Sequence, residues 1–194
     1  MANTSRPAGL VPYQHMSGGT PMRMGSYKIV TTQAGNLFQG DPVVLTTGVA
    51  TATRQITIAA IAVGITSKIL GSFAGVRYTA SDGSIVFSNK WVGGTTLATG
   101  TVAEAYVYDD PDMLFTVQAT TIAVDDIGEA GQLILGAGNA TTGISGVTLG
   151  AVGAAAANQI QVVDLAPWPD NELGANAKAI VRIMTHQYRA LVGV

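Results

Sequence analysis

The chain contains no cysteine. Disulfides, thiolate nucleophiles and Cys-based metal sites are therefore excluded, and a small covalently stapled extracellular domain is not expected. Charge is scarce as well. Only 11% of the residues are charged, under half of the roughly 25% usual in a soluble domain. A lone monomer keeps itself in solution with interspersed charge, so this shortage points to a surface partly covered by a partner. Ten Lys and Arg are scattered without a run, and the formal net charge is −2. That leaves no basic face for nucleic acid. Long apolar runs are missing too: residues 56–65 and 150–157 are the longest, well short of the ~20 needed to span a bilayer. No apolar core follows Arg6 in MANTSRPAGLVPYQH, so a signal peptide is not expected, and the chain reads as made and used without secretion.

What the chain does have is glycine, 24 of them, among many short β-branched runs. Its length of 194 residues suits one domain. Residues 1–24 read as an extended arm. Pro7, Pro12 and Pro21 favour extended backbone, yet Leu10, Val11, Tyr13, Met16, Met22 and Met24 are too apolar for a solvated tail. Such an arm lies across a neighbour or packs on its own domain. Residues 25–194 form the body.

Within the body, turn signals come at short intervals. VRYTA (76–80) and SIVFSNKW (84–91) flank Ser81-Asp82-Gly83, the strongest hairpin signal present. In VAEAYVYDD (102–110), Ala103, Ala105 and Val107 share one strand face, with Val102, Glu104, Tyr106 and Tyr108 on the other. Residues 54–66 read as strand with a helical turn possible at Ala59, Ala60 and Ala62, and 182–194 is ambiguous after IVRIM. Residues 121–129 are the best short-helix candidate, with Thr121 or Asp125 as cap and Gly128 or Gly131 as stop. The expected class is all-β: a single sandwich or barrel-like, jelly-roll-like domain with at most one or two short helices.

The chemistry is thin. VYDDPDMLF (107–115) gathers Asp109, Asp110 and Asp112 around Pro111. Neighbouring residues on a strand point to opposite faces, so Asp109 and Asp110 are badly placed as an acid/base pair. A hard cation wants several oxygen ligands, and no EF-hand spacing is present. The segment reads as a turn with Pro111 in its second position. His15 and His186 are far apart in sequence, and no serine sits in a Gly-x-Ser-x-Gly elbow. GAGNATTG (136–143) lacks the spacing and lysine of a phosphate loop. No catalytic residue, metal ligand or cofactor is expected. Exposed anchors are sought among the aromatic residues, Trp168 above all because it stands between Pro167 and Pro169, and Tyr188. With the arm residues Leu10, Val11, Tyr13, Met16 and Met22, these make up the candidate interface.

Four segments, RPAGLVPYQHMSGG (6–19), NLFQGDPV (36–43), VYDDPDMLFTVQA (107–119) and RIMTHQYRALVGV (182–194), together with FAGVRYTASDGSIVFSNKW (73–91), carry a resemblance. In their order and combination they resemble a family of tailed-phage virion proteins that act as capsid decoration, or cement, proteins. Residues 131–158 match only in being rich in Gly, Thr and Ala. The resemblance implies a β-rich protein on the outer surface of an icosahedral head, bridging neighbouring major capsid subunits as a homo-dimer or homo-trimer, with no enzymatic activity and no cofactor. Its rivals are another virion component (a head-fibre base, a minor tail protein or the shell protein itself) and, more remotely, a carbohydrate hydrolase using the acids of 109–112.

Overall fold

A computed structural model describes residues 3–20, 23–29, 33–46, 54–58, 68–153 and 159–189. Among these, sixteen strands follow in chain order: β1 Val11–His15, β2 Gly25–Ile29, β3 Leu37–Phe38, β4 Pro42–Leu45, β5 Gln55–Ile58, β6 Gly71–Thr79, β7 Ile85–Ser88, β8 Lys90–Trp91, β9 Glu104–Tyr108, β10 Met113–Gln118, β11 Thr121–Ile122, β12 Ala130–Ile134, β13 Thr148–Gly153, β14 Ile160–Leu165, β15 Gly174–Ala175 and β16 Lys178–Ile183. The only helical pieces among the described residues are two 3₁₀ turns, Val124–Asp126 and Gln187–Arg189. The expected all-β class is what the chain adopts.

The strands build two units. In the first, the order β4-β5-β2-β9-β6 closes through a further β4–β6 pairing into a barrel, with β7 attached outside β6. All its pairings are antiparallel except β2 with β5. Tyr27, Leu37, Val43, Ile56, Phe73, Ala105 and Val107 fill its interior. The second unit is an antiparallel sheet in the order β1-β10-β16-β14-β12-β13. Its core holds Leu10, Met113, Phe115, Val117, Leu149, Ile160, Val162 and Val181, with Val44 and Tyr108 of the barrel packed against it. Backbone bonds stitch the units: Ile69 N–H donates to Thr185 O at 3.0 Å, and Gln187 N–H donates to Ile69 O at 2.9 Å.

The hairpin forms as its turn signal requires. Val76 pairs with Ser88 and Thr79 with Ile85, and Gly83 takes φ +87°, the left-handed region that glycine enters without penalty. Alternation in β9 also holds: Ala103, Ala105 and Val107 are buried, while Val102 is exposed. In β7, by contrast, Ile85 and Phe87 share a face that points to solvent, with 58% and 71% of their surfaces exposed.

Three expectations need correction or sharpening. Residues 121–129 are not a helix. Thr121 and Ile122 pair with Ala175 and Gly174, and a single 3₁₀ turn follows. Neither Thr121 nor Asp125 caps that turn: its N-cap is Ala123, whose N–H donates to the Asp126 carboxylate at 2.7 Å, and Gly128 at φ +93° ends the stretch. A strand-pairing partner supplied by tertiary structure outweighed a weak local helix preference. The ambiguous C-terminal stretch is strand only to Ile183 and then turns. Of residues 54–66, Gln55–Ile58 are strand; the alanine-rich part lies outside the described residues.

The segment read as an arm is woven into the body. β1 pairs with β10, from Val11 against Thr116 to His15 against Met113. Leu10 has no exposed surface, and its carbonyl accepts from Ser72 Oγ at 2.6 Å.

Candidate functional site at the acidic turn

The turn at 109–112 is where the chain leaves the barrel for the sheet. β9 before it belongs to the first unit and β10 after it to the second. Pro111 fixes the bend as expected: Met113 N–H donates to Asp110 O at 3.2 Å, and Asp112 N–H to Asp110 Oδ1 at 2.9 Å. The turn therefore joins two strands that do not pair with each other, which no local pattern discloses.

Asp109 and Asp110 diverge, as strand geometry requires. Asp109 points inward and is 1% exposed. Its Oδ2 accepts from the Tyr27 hydroxyl at 2.5 Å and lies 3.5 Å from Arg54 Nη2. Its Oδ1 has no hydrogen bond and faces Arg23 Nε at 3.9 Å. The room comes from Gly25, where a Cβ would stand 2.5 Å from Asp109 Oδ2. Arg54 lies over the Tyr27 ring, 4.1 Å from its centroid, and donates to the hydroxyls of Tyr27 and of Tyr188, the latter at 3.0 Å. The two tyrosine hydroxyls are 2.7 Å apart. Burial pushes the Tyr27 phenol far above its ordinary range, and its bond to Asp109 adds to the push. Tyr27 is therefore a fixed donor, not a base or nucleophile.

His186 packs beside this group, its ring 5.8 Å from that of Tyr188. It is buried, and Nδ1 accepts from Tyr188 N–H at 3.1 Å, which places the neutral ring's proton on Nε2. Burial pulls its pKa down, with Asp109 and Asp110 opposing.

Asp110 and Asp112 face the other way, towards β1 and the C-terminal turn. His15 Nε2 lies 3.6 Å from Asp110 Oδ2, and Arg189 pairs with Asp112. His15, Asp110 and Asp112 are close enough for one ion to bridge them. The hydrogen bonding opposes that. His15 Nδ1 accepts from Ser17 N–H at 3.1 Å, so the neutral ring carries its hydrogen on Nε2, the atom aimed at the carboxylate. A metal needs that nitrogen bare, and Arg189 already neutralises Asp112. The arrangement is one ion pair, Arg189 with Asp112, beside the contact of His15 with Asp110, and it pins the crossover.

The chain matches no protein-family model, no curated protein and no solved structure. Its resemblance to capsid decoration proteins rests on the quoted segments alone.

The candidate interface residues do not form one patch. Leu10 is spent in the core, a correction that follows from its complete burial. Val11, Met16, Trp168 and Tyr188 are exposed, at 40, 49, 37 and 47%. Tyr13 is half-buried, and Met22 lies outside the described residues. Tyr188 stands at the Asp109 cluster, whereas Trp168 stands in a groove beside Arg6 and Lys178. Sequence reasoning missed Tyr27, Arg54 and His186 around Asp109. Tyr27 reads as one residue of a strand, and nothing local ties it to an acid 82 positions away.

Proposed function

We propose that the chain is a decoration, or cement, protein of a tailed phage. It binds the outer surface of the icosahedral head and bridges neighbouring major capsid subunits, as a homo-dimer or homo-trimer. No nucleic acid, membrane or cofactor takes part, and the protein has no enzymatic activity. One observation carries the reading beyond the resemblance. Large apolar side chains stand out on a β-surface with little charge: Phe87 at 71% and Ile85 at 58% exposed on β7, outermost beside the barrel. Apolar groups on an edge strand are a liability unless something covers them. A stable assembly presenting many copies of one docking surface suits such a protein, because several modest contacts per oligomer sum to tight binding. Binding the assembled shell and not its parts stabilises the shell by linkage.

The near absence of helix among the described residues favours decoration over a shell protein, which would carry substantial helix. A head-fibre base or minor tail protein is the second reading on the same observation. The hydrolase reading is disfavoured because Asp109 is buried under Tyr27 and Arg54, while Asp110 faces His15 and Asp112 is paired with Arg189, which leaves no free pair of carboxylates. The test is to mix the purified chain with undecorated mature heads of the phage whose genome encodes it, and to follow head occupancy and head melting. Saturable binding with a raised melting temperature is expected. No binding to heads, with binding to tails, selects the second reading.

A further inference from the structure

Before β1 begins, residues 3–10 run beside β10 without pairing to it as a strand. The Gln118 side chain spans the gap: Oε1 accepts from Arg6 N–H at 2.8 Å, and Nε2 donates to Thr4 O at 3.2 Å. Asn3 ties the far end down by bonding to Glu172 O and Ala175 O at 2.7 and 2.9 Å. A groove remains between this segment, β10 and the 166–178 loop. It consists of two hollows. One, of about 240 Å³, has an apolar lining that includes Ala8, Gly9 and Val11. The other, of about 230 Å³, is polar and includes Asp170 and Asn176. Arg6, Trp168 and Lys178 line both and form the saddle between them.

The saddle carries two cations, and neither is held in an ion pair among the described residues. Lys178 Nζ lies over the Trp168 ring, 4.8 Å from its centroid. Among the described residues, neither Arg6 nor Lys178 has a carboxylate within ion-pair distance. Asp170 lines only the polar hollow, so the groove keeps one net positive charge. Pro167 and Pro169 hold the backbone around Trp168 stiff, which lowers the ordering cost of a contact there.

We propose that this groove binds an extended acidic peptide segment of the shell, with an apolar side chain in the hollow beside Ala8 and Val11 and a carboxylate between Arg6 and Lys178. The groove's acidic preference follows from its charge; the shell as the source rests on the decoration reading. The apolar hollow favours a peptide over an acidic oligosaccharide, whose hydroxyls would be left without partners there. The arginine supplies a forked donor for the carboxylate, and the lysine supplies a point charge.

The experiment titrates the isotope-labelled full chain with acetyl-Ala-Leu-Asp-Ala-amide, with the same peptide carrying Asn for Asp, and with tetragalacturonate, reading amide and indole N–H shifts. The Asp peptide is expected to shift the Trp168 indole and the amides of Arg6 and Lys178, and to bind about tenfold tighter than the Asn peptide, the gain of a charge-assisted bond. Arg6→Glu, at an exposed position, removes this response and lowers head occupancy. Equal binding of the two peptides, shifts with tetragalacturonate alone, or no shift at all overturns the groove inference. So does unchanged head occupancy by Arg6→Glu when the unaltered chain binds heads. Failure of the unaltered chain to bind heads overturns the decoration reading instead, and with it the shell as the source.

Discussion

The Tyr27 hydroxyl donates to Asp109 Oδ2 at 2.5 Å across 82 positions of sequence. That bond ties β2, the first barrel strand in chain order, to the turn through which the chain leaves the barrel. A buried carboxyl needs its donors, because water cannot replace them. Tyr27→Phe removes the donor and leaves the acid, so a loss of about 1–3 kcal/mol is expected. Asp109→Ala removes the acid and leaves Tyr27 without its acceptor, with a cost of similar size. Urea unfolding at neutral pH measures both. A double variant much less destabilised than the sum of the two establishes the pair as one unit.

Leu10→Ala separates fold from docking in the N-terminal segment. Leu10 is fully buried and Val11 is 40% exposed. Truncating Leu10 is expected to cost about 2–5 kcal/mol, while Val11→Ala stays within about 0.5 kcal/mol. Thermal unfolding distinguishes them. Near-equal values would mean that the segment is not part of the core.

His186 sets a pH dependence. Burial lowers its pKa below the ordinary 6.5, against the pull of Asp109 and Asp110. As pH falls through that ordinary value, the unfolded chain takes up a proton that the folded chain refuses. Stability therefore declines with falling pH, from about 6.5 down to the depressed folded value. Asp41 has the opposite slope in a more acidic window, since burial raises its pKa above 3.8 and its bonds from Ser145 and Phe38 only partly offset this. Urea midpoints measured across the weakly acidic range check the histidine, and His186→Gln is expected to flatten the decline there.

Calcium tests the ion-pair reading of the turn. With His15 Nε2 carrying the hydrogen and Arg189 on Asp112, millimolar calcium is expected to leave the melting temperature unchanged. A rise that Asp112→Ala abolishes would instead establish a cation site formed by His15, Asp110 and Asp112.

Phe87→Ser tests the docking face. The side chain is 71% exposed, with the Arg77 guanidinium 5.8 Å from the ring centroid. Stability is expected to change by no more than about 0.5 kcal/mol, while head occupancy falls. Unchanged occupancy would move the contact surface away from β7.

The sequence by itself determined the class of fold and its punctuation. Alternation set Ala103, Ala105 and Val107 on one face, which proved to be the buried one, Asp82-Gly83 gave the hairpin, and Pro111 gave the turn. These follow from forces acting over a few residues: side-chain alternation, allowed φ, and a missing N–H. Trp168 between two prolines was likewise legible as an exposed aromatic residue. Outside that hairpin, only tertiary structure decided which strands meet. It drew Thr121–Ile122 into pairing with Gly174–Ala175 where a helix was expected, and it buried Leu10 in a sheet core. It also set Asp109 beneath Tyr27 and Arg54, and brought Arg6 to Lys178. Those contacts join positions tens to more than a hundred residues apart, and their stability comes from burial and charge pairing that exist only once the chain has closed. No local pattern records them.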